Sequence, residues 1–93
     1  MKQIRWAPAA VDDLQAIREY LREHHPALAQ STIKRLYNAA RSLKQFPNRG
    51  RNGQAENTRE LVTSPLPYII VYRVDSDFVH IFRVIHGAED WQQ

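Results

Sequence analysis

The sequence predicts an α+β domain with the element order β-α-α-β-β-β, a helical hairpin packed on a small antiparallel sheet. Three observations predict it. Residues 2–6 (KQIRW) alternate polar and apolar, two helical periodicities meet at Pro26, and three β-rich runs follow residue 57.

The first strand places Ile4 and Trp6 on one side and ends at Ala7-Pro8. Pro8 suits the first turn of a helix, where its missing N–H costs nothing. Asp12 and Asp13 follow early in that helix, where the dipole favours carboxylates. Val11, Leu14, Ile17 and Leu21 recur at helical spacing, with Ala10 and Tyr20 widening the stripe. The helix should end near His24-His25, because Pro26 disfavours helix at the residue before it. Pro26 then opens a second helix with the apolar set Ala29, Ile33, Leu36, Tyr37, Ala40, Leu43 and Phe46. Its opposite stripe, Lys34, Asn38, Arg41 and Gln45, is polar and cationic. Pro47 stops it, and residues 47–57 (PNRGRNGQAEN) read as a loop. Strands are expected over Thr58–Thr63, Pro67–Val74 and Phe78–His86. The middle one is apolar almost without interruption, as a strand covered on both faces would be. Asp75-Ser76-Asp77 is a tight hairpin turn, and Ala88–Gln93 is a short polar tail carrying Trp91.

The 93 residues are expected to form one domain, 1–93, since single domains commonly run about 100–150 residues. There is no cysteine, which excludes disulfide frameworks, thiolate metal sites and cysteine nucleophiles, and fits a reducing cytoplasm. No apolar run approaches the roughly 20 residues of a membrane span, and MKQIRWAP lacks an apolar signal core. A soluble, cytoplasmic domain with no membrane partner is the expectation. Thirteen Lys and Arg oppose ten Asp and Glu, for a net charge of +3. The distribution says more. Between Glu23 and Glu56 there is no acid, while Lys34, Arg35, Arg41, Lys44, Arg49 and Arg51 are all basic. Such a stretch favours an anionic partner, nucleic acid or an acidic protein segment; a solvated helix face plus loop is the plainer reading.

Metal-independent RNA cleavage needs a base, cations for the phosphate and an acid for the leaving oxygen. His80 and His86 could serve as base or acid, with Arg59, Arg73 and Arg83 on the phosphate. His80 lies mid-strand and reads more simply as a satisfied sheet histidine. Ion pairs to Glu60, Asp75 or Asp77 would account for Arg73 and Arg83 equally well. His86 is the better candidate, at a strand end beside a glycine. His24-His25 and Asp12-Asp13 are adjacent pairs that cannot chelate from one helix face. Glu89 and Asp90 near His86 do not define a site, so no metal or cofactor is expected. Arg49-Gly50-Arg51-Asn52-Gly53 lacks a phosphate-loop pattern and follows a helix; it reads as a turn with solvated arginines or as a basic loop touching an anionic partner.

Three runs, Thr58–Val62, Pro67–Val74 and Val79–Trp91 (VHIFRVIHGAEDW), together with Trp6-Ala7-Pro8 and Phe46-Pro47, closely resemble the RelE/ParE superfamily of type II toxins. The likeness runs through nearly the whole chain in order, and RVIHGAEDW looks like the ParE-type branch. The resemblance implies a toxin neutralised by a cognate, ParD-like antitoxin in a hetero-oligomer. It also implies DNA gyrase as target, with nucleic-acid contact only inside that target complex. The ribonuclease branch offers a test. Its lysines before the central strand would fall near Thr63–Pro67, where there are none; its strand arginine would fall on Ile69 and its late arginine near Ala88. The reading is therefore a non-enzymatic gyrase poison. The alternative is a ribosome-dependent endoribonuclease with His86 and Arg83 as catalytic residues, and a third possibility is a decayed member that keeps only its antitoxin surface. Target- or antitoxin-binding residues are expected to be Arg49, Arg51, Arg59, Arg73, Arg83, His86, Asp90 and Trp91, with Tyr20 a second aromatic anchor or a core residue.

Overall fold

The computed structural model describes residues 1–87. Strand β1 (Gln3–Trp6) leads into helix α1 (Pro8–His24), and α2 (Pro26–Arg41) continues into a 3-10 turn at Ser42–Lys44. Prolines open both helices, each where its missing N–H is harmless. Strands β2 (Arg51–Asn52), β3 (Arg59–Val62), β4 (Tyr68–Val74) and β5 (Phe78–His86) then build a five-stranded sheet of order β1-β5-β4-β3-β2. The α+β fold and the helical hairpin stand where the periodicities put them.

Three departures have physical causes. β1 pairs with β5 in parallel, Ile4 opposite Val79 and Trp6 opposite Ile81, so the sheet is mixed where an antiparallel one was expected. Parallel neighbours need a long crossover, and the intervening hairpin and strands supply one. Alternation within residues 2–6 carries no information about the partner's direction. The loop 47–57 contains the extra strand β2, whose two exposed residues pair with Glu60 and Arg59. Nothing apolar marks it.

The third departure concerns the core. Ala10 and Leu21 of α1 and Ala29, Ile33, Leu36 and Ala40 of α2 are buried, with Leu43 of the 3-10 turn, as the helical spacing requires. Val11, Tyr20, Tyr37 and Phe46, expected inside, are 48–59% exposed. The apolar stripe is wider than the face the sheet can cover, so its flanks stay in solvent. From the sheet, Leu61, Tyr68, Ile70, Tyr72, Val79, Ile81 and Val84 complete one cluster with the helices. Tyr72 is fully buried yet polar at its tip. Its hydroxyl accepts from the Gly50 N–H and donates to the Pro47 carbonyl, both at 2.8 Å, which ties the β2 loop to the central strand. An added Cβ at Gly50 would lie 2.7 Å from that hydroxyl and 2.9 Å from the Glu60 carbonyl, so glycine is required there for close approach.

Candidate interaction site and the strand arginines

The arginines singled out by sequence divide by what holds them. Arg83 on β5 meets Asp13 on α1: Nε donates at 2.7 Å and Nη2 at 3.0 Å, a two-pronged ion pair. The same carboxylate accepts the Val84 N–H at 2.9 Å, at the point where β5 outruns its neighbour β1. Asp13 is thus a strap between helix and sheet, and it lies beyond the first turn of α1 where a dipole role was expected. Arg83 pairs with none of Glu60, Asp75 and Asp77. Glu60 is engaged by Arg51, whose Nε and Nη2 donate to its Oε1 at 3.1 and 2.9 Å. Glu60 is almost wholly buried while Arg51 is 61% exposed, so the pair mainly satisfies a carboxylate that could not otherwise stay inside.

Arg59 donates to the Gly50 carbonyl at 2.8 Å and Arg49 to the Ser42 hydroxyl at 2.7 Å. The basic loop that read as solvated is therefore fastened from three sides. Arg73 has no ion pair among the described residues; its guanidinium lies 5.6 Å from the centroid of the Phe82 ring.

His80 is the satisfied sheet histidine of the plainer reading. Its Nε2 lies 2.6 Å from Asp75 Oδ2. Asp75 Oδ1 also accepts the N–H groups of Phe78 and Asp77, at 2.8 and 3.0 Å, which closes the β4–β5 turn. These bonds, His80 first, hold the Asp75 carboxyl well below the usual carboxylate range. His86 is exposed at the end of β5, edge-on to the Tyr68 ring at 5.9 Å. Asp90 and Trp91 lie outside the described residues.

A groove runs along the solvent side of the helical hairpin. Its cavity, about 820 Å³, is lined by Arg18, Arg22, Ile33, Lys34, Tyr37 and neighbouring residues. Trp6 stacks on Tyr37 at 5.4 Å and continues the apolar floor into an adjoining cleft bounded by Val11 and Leu14. Sequence reasoning placed Tyr37 in the core and did not single out Arg18 or Arg22. The available signal was that Arg18 and Arg22 sit four apart on the helix. Among the described residues no group of three His, Cys, Asp or Glu could hold a metal ion, and no helix is long and apolar enough to cross a membrane.

Comparison with known proteins is consistent across sequence and fold. Residues 4–91 match the family described as the ParE toxin of the type II toxin–antitoxin system, parDE. The chain is 46% identical over 88 residues to toxin RelE2 of Caulobacter vibrioides, covering 95% of this chain and 98% of that one. Its fold is similar to that in the chromosomal ParDE system from P. aeruginosa, with TM-score 0.86 at 24% identity, covering 92% of this chain and 96% of that one. A more distant likeness is to the RelBE2 toxin–antitoxin complex from Mycobacterium tuberculosis, with TM-score 0.60 at 21% identity over 91% and 96% of the two chains. With a family match spanning all but the two ends of the sequence, the chain belongs to the ParE toxin family of type II toxin–antitoxin systems.

Proposed function

We propose that this chain arrests growth by trapping DNA gyrase on cleaved DNA, without being a nuclease itself, and that a cognate ParD-like antitoxin neutralises it in the cytoplasm. One observation carries the reading. Arg83 is the arginine of β5 nearest in sequence to His86, and both prongs of its guanidinium are directed at Asp13. A phosphate-cleaving site needs a cation beside its acid or base, and this one is committed to holding α1 on the sheet. The positions where the resemblance places the ribonuclease cations hold Thr63 to Pro67 and Ile69.

The hairpin groove supports the antitoxin part of the proposal. Arg18, Arg22 and Lys34 rim an apolar floor of Ile33 and Tyr37, the complement of an acidic amphipathic helix. A similar solved structure, RelBE2, is itself a toxin–antitoxin complex.

A ribosome-dependent endoribonuclease is the second reading, favoured by the exposure of His86 beside Tyr68 and by relatives named RelE2 and RelE3. A supercoiling assay with purified protein, gyrase and ATP separates the two. Linear DNA recovered after denaturing the gyrase is the result expected. Unaffected gyrase together with cleavage of ribosome-bound mRNA would replace the proposal with the second reading.

A further inference from the structure

The face of the sheet turned away from the helices carries a row of three side chains in register across three adjacent strands. Arg5 of β1 is opposite His80 of β5, and His80 is opposite Arg73 of β4. Tyr72, Val79 and Ile81 beside these positions lie in the core and Ile4, Trp6 and Val74 pack against it, so alternation puts the row outward. Two phenyl rings flank it. The Arg5 guanidinium sits 3.9 Å from the centroid of Phe78, and Arg73 lies over Phe82. Both arginines are exposed and both rings are half-buried.

This pairing leaves the two cations stacked on rings and, among the described residues, otherwise unbonded. A guanidinium stacked on a ring uses its face and keeps its N–H edge open. Among the described residues neither Arg5 nor Arg73 donates a hydrogen bond, in contrast to Arg49, Arg51, Arg59 and Arg83. The acid nearest the row, Asp75, has its oxygens occupied by His80 and by two backbone N–H groups. The result is two oriented, unused bidentate donors whose backbones are about 10 Å apart, two strand spacings. They are set among flat surfaces on which a planar ring can stack.

We infer that this strip binds single-stranded nucleic acid, with backbone phosphates on the open edges of Arg5 and Arg73 and bases stacked against the Phe78 and Phe82 side of the row. Phosphodiesters match bidentate arginine donors, and bases match aromatic and guanidinium planes; an acidic peptide would use the charge and leave the planes idle. The strip is separate from the His86 end of the sheet, since Arg73 is about 17 Å along β4 from Tyr68, the residue opposite His86. It does not depend on gyrase being the target.

The test is fluorescence anisotropy of a labelled 15-nucleotide single-stranded DNA with the purified full chain and no gyrase present, titrated over a range of salt. Binding is expected, and R5A/R73A should weaken it by about tenfold or more while reducing the salt slope by about 1.4, the value for two phosphate contacts on a single strand. R5K/R73K should recover the salt slope and only part of the affinity, because lysine restores charge and loses the stack. Circular dichroism of each variant reports its folding. Failure of the unaltered chain to bind the oligonucleotide overturns the inference. So does R5A/R73A that is folded and binds undiminished, or equal affinity for a polyglutamate peptide of the same charge.

Discussion

Asp13 and Arg83 are seventy residues apart in sequence and joined by two hydrogen bonds, and the same carboxylate takes the Val84 N–H. Three donors converge on one side chain where β5 loses its parallel neighbour. Removing the carboxylate therefore exposes a strand amide and a guanidinium together. Asp13→Ala is expected to lower stability by about 1–3 kcal/mol, at the scale of a partly exposed ion pair plus an unmade backbone bond. Asp13→Asn keeps an acceptor for Val84 and should lose less. Urea unfolding of the two variants checks the order, and equal losses would show that the charge contributes all of it.

Tyr72 serves the loop as Asp13 serves the helix. Its hydroxyl satisfies the Gly50 N–H and the Pro47 carbonyl from inside the core. Burial pushes its ionisation above the ordinary tyrosine value, against the smaller opposing pull of the Gly50 N–H, Arg59 and Arg49. Tyr72→Phe preserves the ring and strands both backbone groups, at a cost of about 1–3 kcal/mol. Amide exchange at Gly50 should quicken more than exchange in β4. If only global stability falls, with no selective change at Gly50, the hydroxyl is not what fastens the loop.

Acid should act on the β4–β5 turn through Asp75. A carboxyl whose folded-state pKa is depressed contributes stability that is present above its unfolded value, about 3.9, and lost as pH falls toward the folded one. Thermal melts between pH 7 and pH 2 should therefore show a decline below about pH 4 that is shallower in Asp75→Asn. His80→Gln should flatten the same limb, because His80 is the largest cause of the depression. An unchanged acid limb in both variants would assign it to other carboxylates.

How much of this was legible depends on whether the information was local. Proline at Pro8 and Pro26, the three- and four-residue spacings after them, and the apolar run from Tyr68 to Val74 are local signals, and each became the element it suggested. The direction of β1 was not legible, because it is set by a crossover through two helices. Strand β2 exists only by pairing, so its exposed residues carry no pattern. The partner of Arg83 was sought among Glu60, Asp75 and Asp77, which lie on the neighbouring strands and turn. Two of those acids were already engaged by Arg51 and His80, and the true partner sits on a helix whose position above β5 is a property of the packed fold. Tyr37 followed the helical period faithfully and still emerged on the surface, since periodicity gives a side and only the width of the sheet decides where that side stops being covered.

His86 gives the sharpest separation of the two functional readings in cells. If it is an acid or base, its loss should reduce activity by about 10²–10⁴-fold, and induced expression of His86→Ala would no longer arrest growth. On the gyrase reading the exposed ring transfers no proton, so arrest should persist with DNA damage as its signature. Arg83→Gln complements it. That change leaves Asp13 an amide donor where a guanidinium stood, so it weakens the strap without removing every bond to it. A gyrase poison should then lose toxicity only as far as it loses folded protein, measured as soluble toxin recovered from the same cells. Toxicity that vanishes while the soluble yield is unchanged would return Arg83 to a reacting phosphate.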